Sequence, residues 1–114
     1  MTHLQPPIPL LPQTGLVMFD REELGAILSV YGRMVAAGEW RDYAISPMRD
    51  AAVFSIFRHA AETPVYRIEK RPALRLRQGP FAVLNATGHV LRRGHDLRQV
   101  LRILERRMIR AVQL

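Results

Sequence analysis

The residues best suited to chemistry in this chain are arginines. Arg98, Arg102, Arg106 and Arg110 recur every four residues near the C-terminus. On a helix that spacing sets them in one slowly drifting ridge. A guanidinium offers a rigid fork of donors that matches phosphate and carboxylate oxygens. A row of them suits a nucleic-acid backbone or an acidic protein surface. Arg92 and Arg93 stand just ahead of the ridge, and Lys70, Arg71, Arg75 and Arg77 gather in a loop further upstream. Glu105 is the only acid inside the last helical stretch. The competing reading is a solvated face that keeps a small protein soluble. Like charges in a row repel, so a partner, from the chain's own acidic half or from outside, is expected to offset them.

Contact with single strands calls for exposed aromatics on which bases stack. Tyr31, Phe54, Phe57 and Phe81 sit in apolar patterns that read as core, and Trp40, Tyr43 and Tyr66 are the candidates. The run Trp40-Arg41-Asp42-Tyr43 packs two rings, a cation and an acid into one link. Trp40 and Tyr43 are thus candidate recognition anchors, against a reading of Trp40 as a plug at the edge of the core. Cysteine is absent, which excludes a thiolate nucleophile, a disulfide framework and a cysteine-held metal. His3, His59, His89 and His95 match no metal-ligand spacing, and no phosphate loop or nucleophile elbow is present. The expectation is a non-enzymatic chain with no catalytic residue, metal or cofactor.

Charge is uneven along the 114 residues. Residues 1–57 carry four basic and six acidic side chains, and residues 58–114 carry thirteen and four, so a net of −2 stands against +9. The basicity therefore belongs to the C-terminal half. Residues 1–16 hold four of the eight prolines and no charge, and read as a flexible tail ahead of one α+β domain over 17–114. Pro6, Pro9 and Pro12 give PxxP spacings, which suit an aromatic groove and are equally common in plain tails. The tail has no basic start, and no apolar run reaches the length of a membrane span. A cytoplasmic protein without membrane contact is expected.

The elements that must position the arginines follow from period and punctuation. Asp20 with Glu23 makes a capping box, and Leu24, Ile27, Leu28, Tyr31, Met34 and Val35 recur at helical spacing until Gly38, so a helix spans 20–37. Gly25, Ser29, Gly32 and Ala36 line a second ridge of small residues, read as a close contact within the chain or with a second copy. A short extended piece ends near Ser46. Strands follow at 52–57, 65–70, 81–85 and 89–92, with 71–79 as a basic loop. Asp96 caps a last helix over 96–112, whose stripe is Leu97, Val100, Leu101, Leu104, Met108 and Ala111. The expected architecture is α+β: a helix, an antiparallel meander of four to five strands, and a C-terminal helix, with both helices on one face of the sheet.

Three stretches carry a resemblance: Tyr31–Ile45, Val65–Lys70, and Thr87–Leu97 with its Thr-Gly-His-Val-Leu-Arg-Arg-Gly-His-Asp-Leu run. Across roughly residues 17–106 the chain resembles a family of small alphaproteobacterial proteins known only as a domain of unknown function. The resemblance implies a bacterial cytosolic protein and carries no activity or site residues with it. The element order also resembles the double-stranded-RNA-binding fold, from which it departs by an extra strand and by Asp96 at the start of the last helix.

These readings give two expectations. In the first, the chain is a binding module whose basic face (Lys70, Arg71, Arg75, Arg77, Arg92, Arg93, Arg98, Arg102, Arg106 and Arg110) contacts nucleic-acid phosphates. In the alternative, it is a protein-interaction or regulatory subunit, homodimeric through the small ridge or a sheet edge, with the Arg ridge meeting an acidic protein surface.

Overall fold

Asp20 opens the first helix by reciprocal capping. Its carboxylate accepts the Glu23 backbone N–H, and the Glu23 carboxylate accepts the Asp20 N–H, both at 2.8 Å. Two of the donors that a helix start leaves unpaired are thus satisfied. Helix α1 runs Arg21–Ala36. It ends as the glycine predicts: Gly38 takes φ +78°, its N–H bonds Val35 O, and the Glu39 N–H bonds Met34 O, both at 2.9 Å. The computed structural model describes residues 15–59 and 63–113, with side chains as far as residue 106. The proline-rich tail reading (1–14), His3, the turn at Glu62, and Arg110, Met108 and Ala111 in the helix-face reading lie outside those described residues or side chains.

The strands are β1 (Asp42–Pro47), β2 (Ala52–Phe57), β3 (Tyr66–Lys70), β4 (Phe81–Asn85) and β5 (Val90–Gly94), and the last element is α2 (Leu97–Gln113). All five strands join one antiparallel sheet in chain order. The extended piece before Pro47 is therefore a full edge strand. The 71–79 loop contains a short 3₁₀ turn, Pro72–Leu74. A bulge between Val83 and Leu84 shifts the register against β5.

Register decides which side chains meet the helices. Ile45, Phe54, Ile68 and Val83 stand in one rank across the sheet. Phe54, Ile68 and Val83 are fully buried in a core shared with Ile27, Val30 and Met34 of α1 and Val100, Leu101 and Leu104 of α2. The rank of opposite facing holds Val53, Glu69, Ala82 and Arg93. Glu69 is buried there and is balanced by the Arg71 Nε at 3.0 Å. An unpaired carboxylate in such a place would be costly.

Helix α1 departs from its sequence reading in one respect. The core takes Ala26, Ile27, Val30 and Met34, and leaves Leu28 and Val35 exposed. The small ridge faces open space, because a Cβ placed on Gly25 or Gly32 meets nothing within 4 Å. The buried stripe lies on another side of the helix, so close packing of that ridge inside the chain does not occur.

Candidate phosphate-binding face

Helix α2 presents the arginine ridge because its other side is committed to the core. Asp96 Oδ1 accepts the N–H groups of Arg98 and Gln99 at 3.0 and 3.4 Å, which fixes where the helix begins. Leu97, Val100, Leu101 and Leu104 are buried. Arg98, Arg102 and Arg106 are then forced outward, one every ~6 Å along the axis, and all three are exposed. None of them forms an ion pair among the described residues. The acid that could screen them is occupied elsewhere: Glu105 accepts the Arg33 Nη2 of α1 at 2.7 Å.

The basic loop is fastened to the head of this ridge. His95 Nε2 meets the Arg75 carbonyl at 2.8 Å, so that nitrogen carries the proton. Arg93 Nη1 donates to Gly79 O at 3.3 Å, and the Arg71 N–H donates to Pro80 O at 2.6 Å. Gly79 itself presses against Gly94. It has φ +113°, and a Cβ there would lie 2.2 Å from the Gly94 carbonyl carbon, so only glycine fits. Arg75 and Arg77, both exposed, thus sit on a loop held against the residues that open α2. The Gln78-Gly79-Pro80 turn marks in the sequence where this loop closes. His95, which reads there as part of the helix cap, also holds the loop, and its place at the Gly-His-Asp helix start is the signal that could have found it.

The structure separates the candidate cations into two groups. Arg75, Arg77, Arg98, Arg102 and Arg106 are exposed. Lys70 is committed to the fold: its Nζ donates to Glu23 Oε1 at 2.7 Å and to Met18 O at 2.9 Å. Arg71 is held by Glu69, Arg93 by Gly79 O, and Arg92 is half-buried on β5. Trp40 is 3% exposed and packs against Tyr31 and Tyr66, with ring centroids 5.9 and 6.0 Å apart. It closes the core. Tyr43 is exposed on β1 but stacks on Phe54 at 4.8 Å. β1 is the sheet edge opposite β5, while α2 contacts β4 and β5. The exposed tyrosine and the arginine ridge are therefore at opposite sides of the molecule.

The remaining polar clusters have structural work. Asp20, Glu22, Glu23, Asp96 and Arg98 border an open depression of about 530 Å³ between the two helix starts. Asp20, Glu23 and Asp96 spend their carboxylates on caps. His89 Nδ1 lies 3.0 Å from Thr87 Oγ1 in a turn organised by Asn85. Among the described residues no group of His, Asp or Glu could hold a metal ion, and no helix is long and apolar enough to cross a membrane.

Fold and surface together define a small α+β protein with two helices over a five-stranded antiparallel meander, in which Arg98, Arg102 and Arg106 form no ion pair among the described residues. The family described as a protein of unknown function, DUF2794, matches residues 17–101, and the chain belongs to that family. No curated protein and no solved structure matches the chain.

Proposed function

We propose that this protein is a non-enzymatic binding module that contacts nucleic-acid phosphates through Arg98, Arg102 and Arg106 of α2, extended by Arg75 and Arg77. The observation that carries this reading is a ridge without ion pairs. The only acid on the helix pairs with Arg33, and no described residue forms an ion pair with Arg98, Arg102 or Arg106. Partly solvated guanidinium groups in a row favour a polyanion, whose bound counterions are released on contact. Buried Trp40 and a remote Tyr43 leave no stacking platform beside the ridge, so contact is with the backbone and independent of sequence. The test is binding to labelled duplex DNA, single-stranded DNA and structured RNA over a salt series, with Arg98, Arg102 and Arg106 changed to Gln. Affinity that falls with salt, less steeply in the variant, supports the reading. Absence of binding at low salt overturns it.

A further inference from the structure

We infer that the lateral flank formed by β1 and α1 is a self-association surface, on which a second copy of this chain docks by antiparallel pairing of the β1 edges. Six of the eight exposed large apolar side chains gather on or beside this flank: Met18, Leu28, Val35, Tyr43, Ile45 and Met48. A concentration of that kind on a small protein marks a contact surface. Between Leu24 and Ala36, α1 carries one charge, Arg33, and that side chain turns to α2 to meet Glu105. Leu28 and Val35 lie roughly 150° around the axis from Arg33, on the side away from α2. A helix apolar on both its core and its outward side is built to be covered on both.

The backbone says what covers it. The Met48 N–H donates to Ala51 O and closes the β1–β2 turn, and Val65 N–H takes the carbonyl of Ile56. Alternation along an antiparallel pair then points the N–H and C=O of Ala44 and Ser46 at β2, and those of Tyr43 and Ile45 away from it. Among the described residues no strand lies on that outer side. The Val17 N–H takes the Met48 carbonyl at 2.7 Å and closes the edge beyond Pro47. The open stretch is thus Tyr43–Ile45, with two donors and two acceptors. It is its own complement. With a two-fold axis at Ala44, Tyr43 pairs with Ile45 of a second copy and Ile45 with its Tyr43, and all four groups on each edge are used. The charge of Asp42 and the ring of Pro47 lie at the two ends of β1, and the open stretch Tyr43–Ile45 between them carries neither.

The same axis brings the two α1 helices side by side. Their exposed Leu28 and Val35 side chains then face one another across the axis. Charge favours this arrangement over others for a chain of net +7. It joins the near-neutral flanks and leaves both arginine ridges on the outside.

The experiment is sedimentation equilibrium and amide hydrogen exchange on the full chain, in low and high salt. The expected result is a species with the mass of two 13.1 kDa chains that persists in high salt and slows exchange at Tyr43 and Ile45. Ile45→Lys, which places a charge on the edge, and Leu28→Glu, which places one on the exposed apolar side of α1, are each expected to yield folded monomer. Circular dichroism confirms folding. A wild-type monomer up to millimolar concentration overturns the inference. So does a dimer that dissolves in salt, is abolished by the Arg98, Arg102 and Arg106 variant, or leaves the Tyr43 and Ile45 amides exchanging freely. The arginine variant leaves the expected dimer intact, so this result and the nucleic-acid result stand or fall separately.

Discussion

Replacing Arg98, Arg102 and Arg106 together by Gln removes three charges from α2 while keeping polar side chains of similar helix propensity. Five cations are exposed on the proposed face: these three with Arg75 and Arg77. If each neutralises one phosphate of a duplex, log K falls against log salt with a slope of about −4.5. Raising salt from about 50 to about 200 mM then weakens wild-type binding by roughly 500-fold. The variant keeps two contacts, so its slope is about −1.8 and the same salt change costs roughly tenfold. Single strands give a shallower wild-type slope, about −3.5, because fewer counterions are condensed per charge. Fluorescence anisotropy with a labelled 20–30-mer reads these slopes directly. Arg41→Gln, an exposed arginine on the α1–β1 link, serves as the control and leaves the slope unchanged. A triple variant with the wild-type slope refutes the assignment of the phosphate contacts to α2, as does an Arg41 variant with the larger effect.

Three further outcomes follow from the packing. Gly79→Ala forces a Cβ into the Gly94 backbone at φ +113°, and costs about 3 kcal/mol or more in urea unfolding; a loss below ~1 kcal/mol contradicts the close approach of loop and β5. Lys70→Met leaves Glu23 without its cation in a site where both side chains are mostly buried, and lowers stability by about 1–3 kcal/mol; a more stable variant shows that the pair is dispensable. Burial, then the charges of Asp42 and Tyr43, raise the Tyr31 hydroxyl above its ordinary 10.0. The folded state then holds that proton more tightly than the unfolded one, so this contribution is intact below about pH 10 and is lost as pH rises through the folded value. Ultraviolet titration is expected to show one tyrosine ionising late, and Tyr31→Phe removes it; a titration unchanged by that substitution contradicts the assignment.

Helix starts and stops were legible in the chain because their causes are local. Asp20, Glu23 and Gly38 act on backbone groups within four or five positions, as does Asp96 on Arg98 and Gln99. The alternation of Ala52, Phe54 and Ile56, and the apolar stripe of α2 as far as Leu104, likewise declare period, and hence element type, without reference to the rest of the fold. The antiparallel meander follows from connections between consecutive strands that are all shorter than the dozen or so residues a parallel crossover needs.

Which cations remain free was decided by the tertiary structure. Lys70, Arg71 and Arg75 look alike in a basic loop, yet Lys70 meets Glu23 across 47 positions of chain and Arg71 turns back to Glu69. Glu105 reads as the one acid that could soften the α2 ridge, and Arg33, 72 positions away, removes it. Trp40 reads as an anchor or a plug until Tyr31 and Tyr66 close around it. Leu28 and Val35 fit the helical stripe of α1, but the core buries Ala26, Ile27, Val30 and Met34, with Leu24 and Tyr31 packed at its margin, and leaves those two exposed. Helical and strand periods are carried by the polymer's own geometry, so a sequence states them directly. Ion pairing, exposure and the facing of an edge depend on distances between segments far apart in the chain, and those distances exist only once the layers have packed.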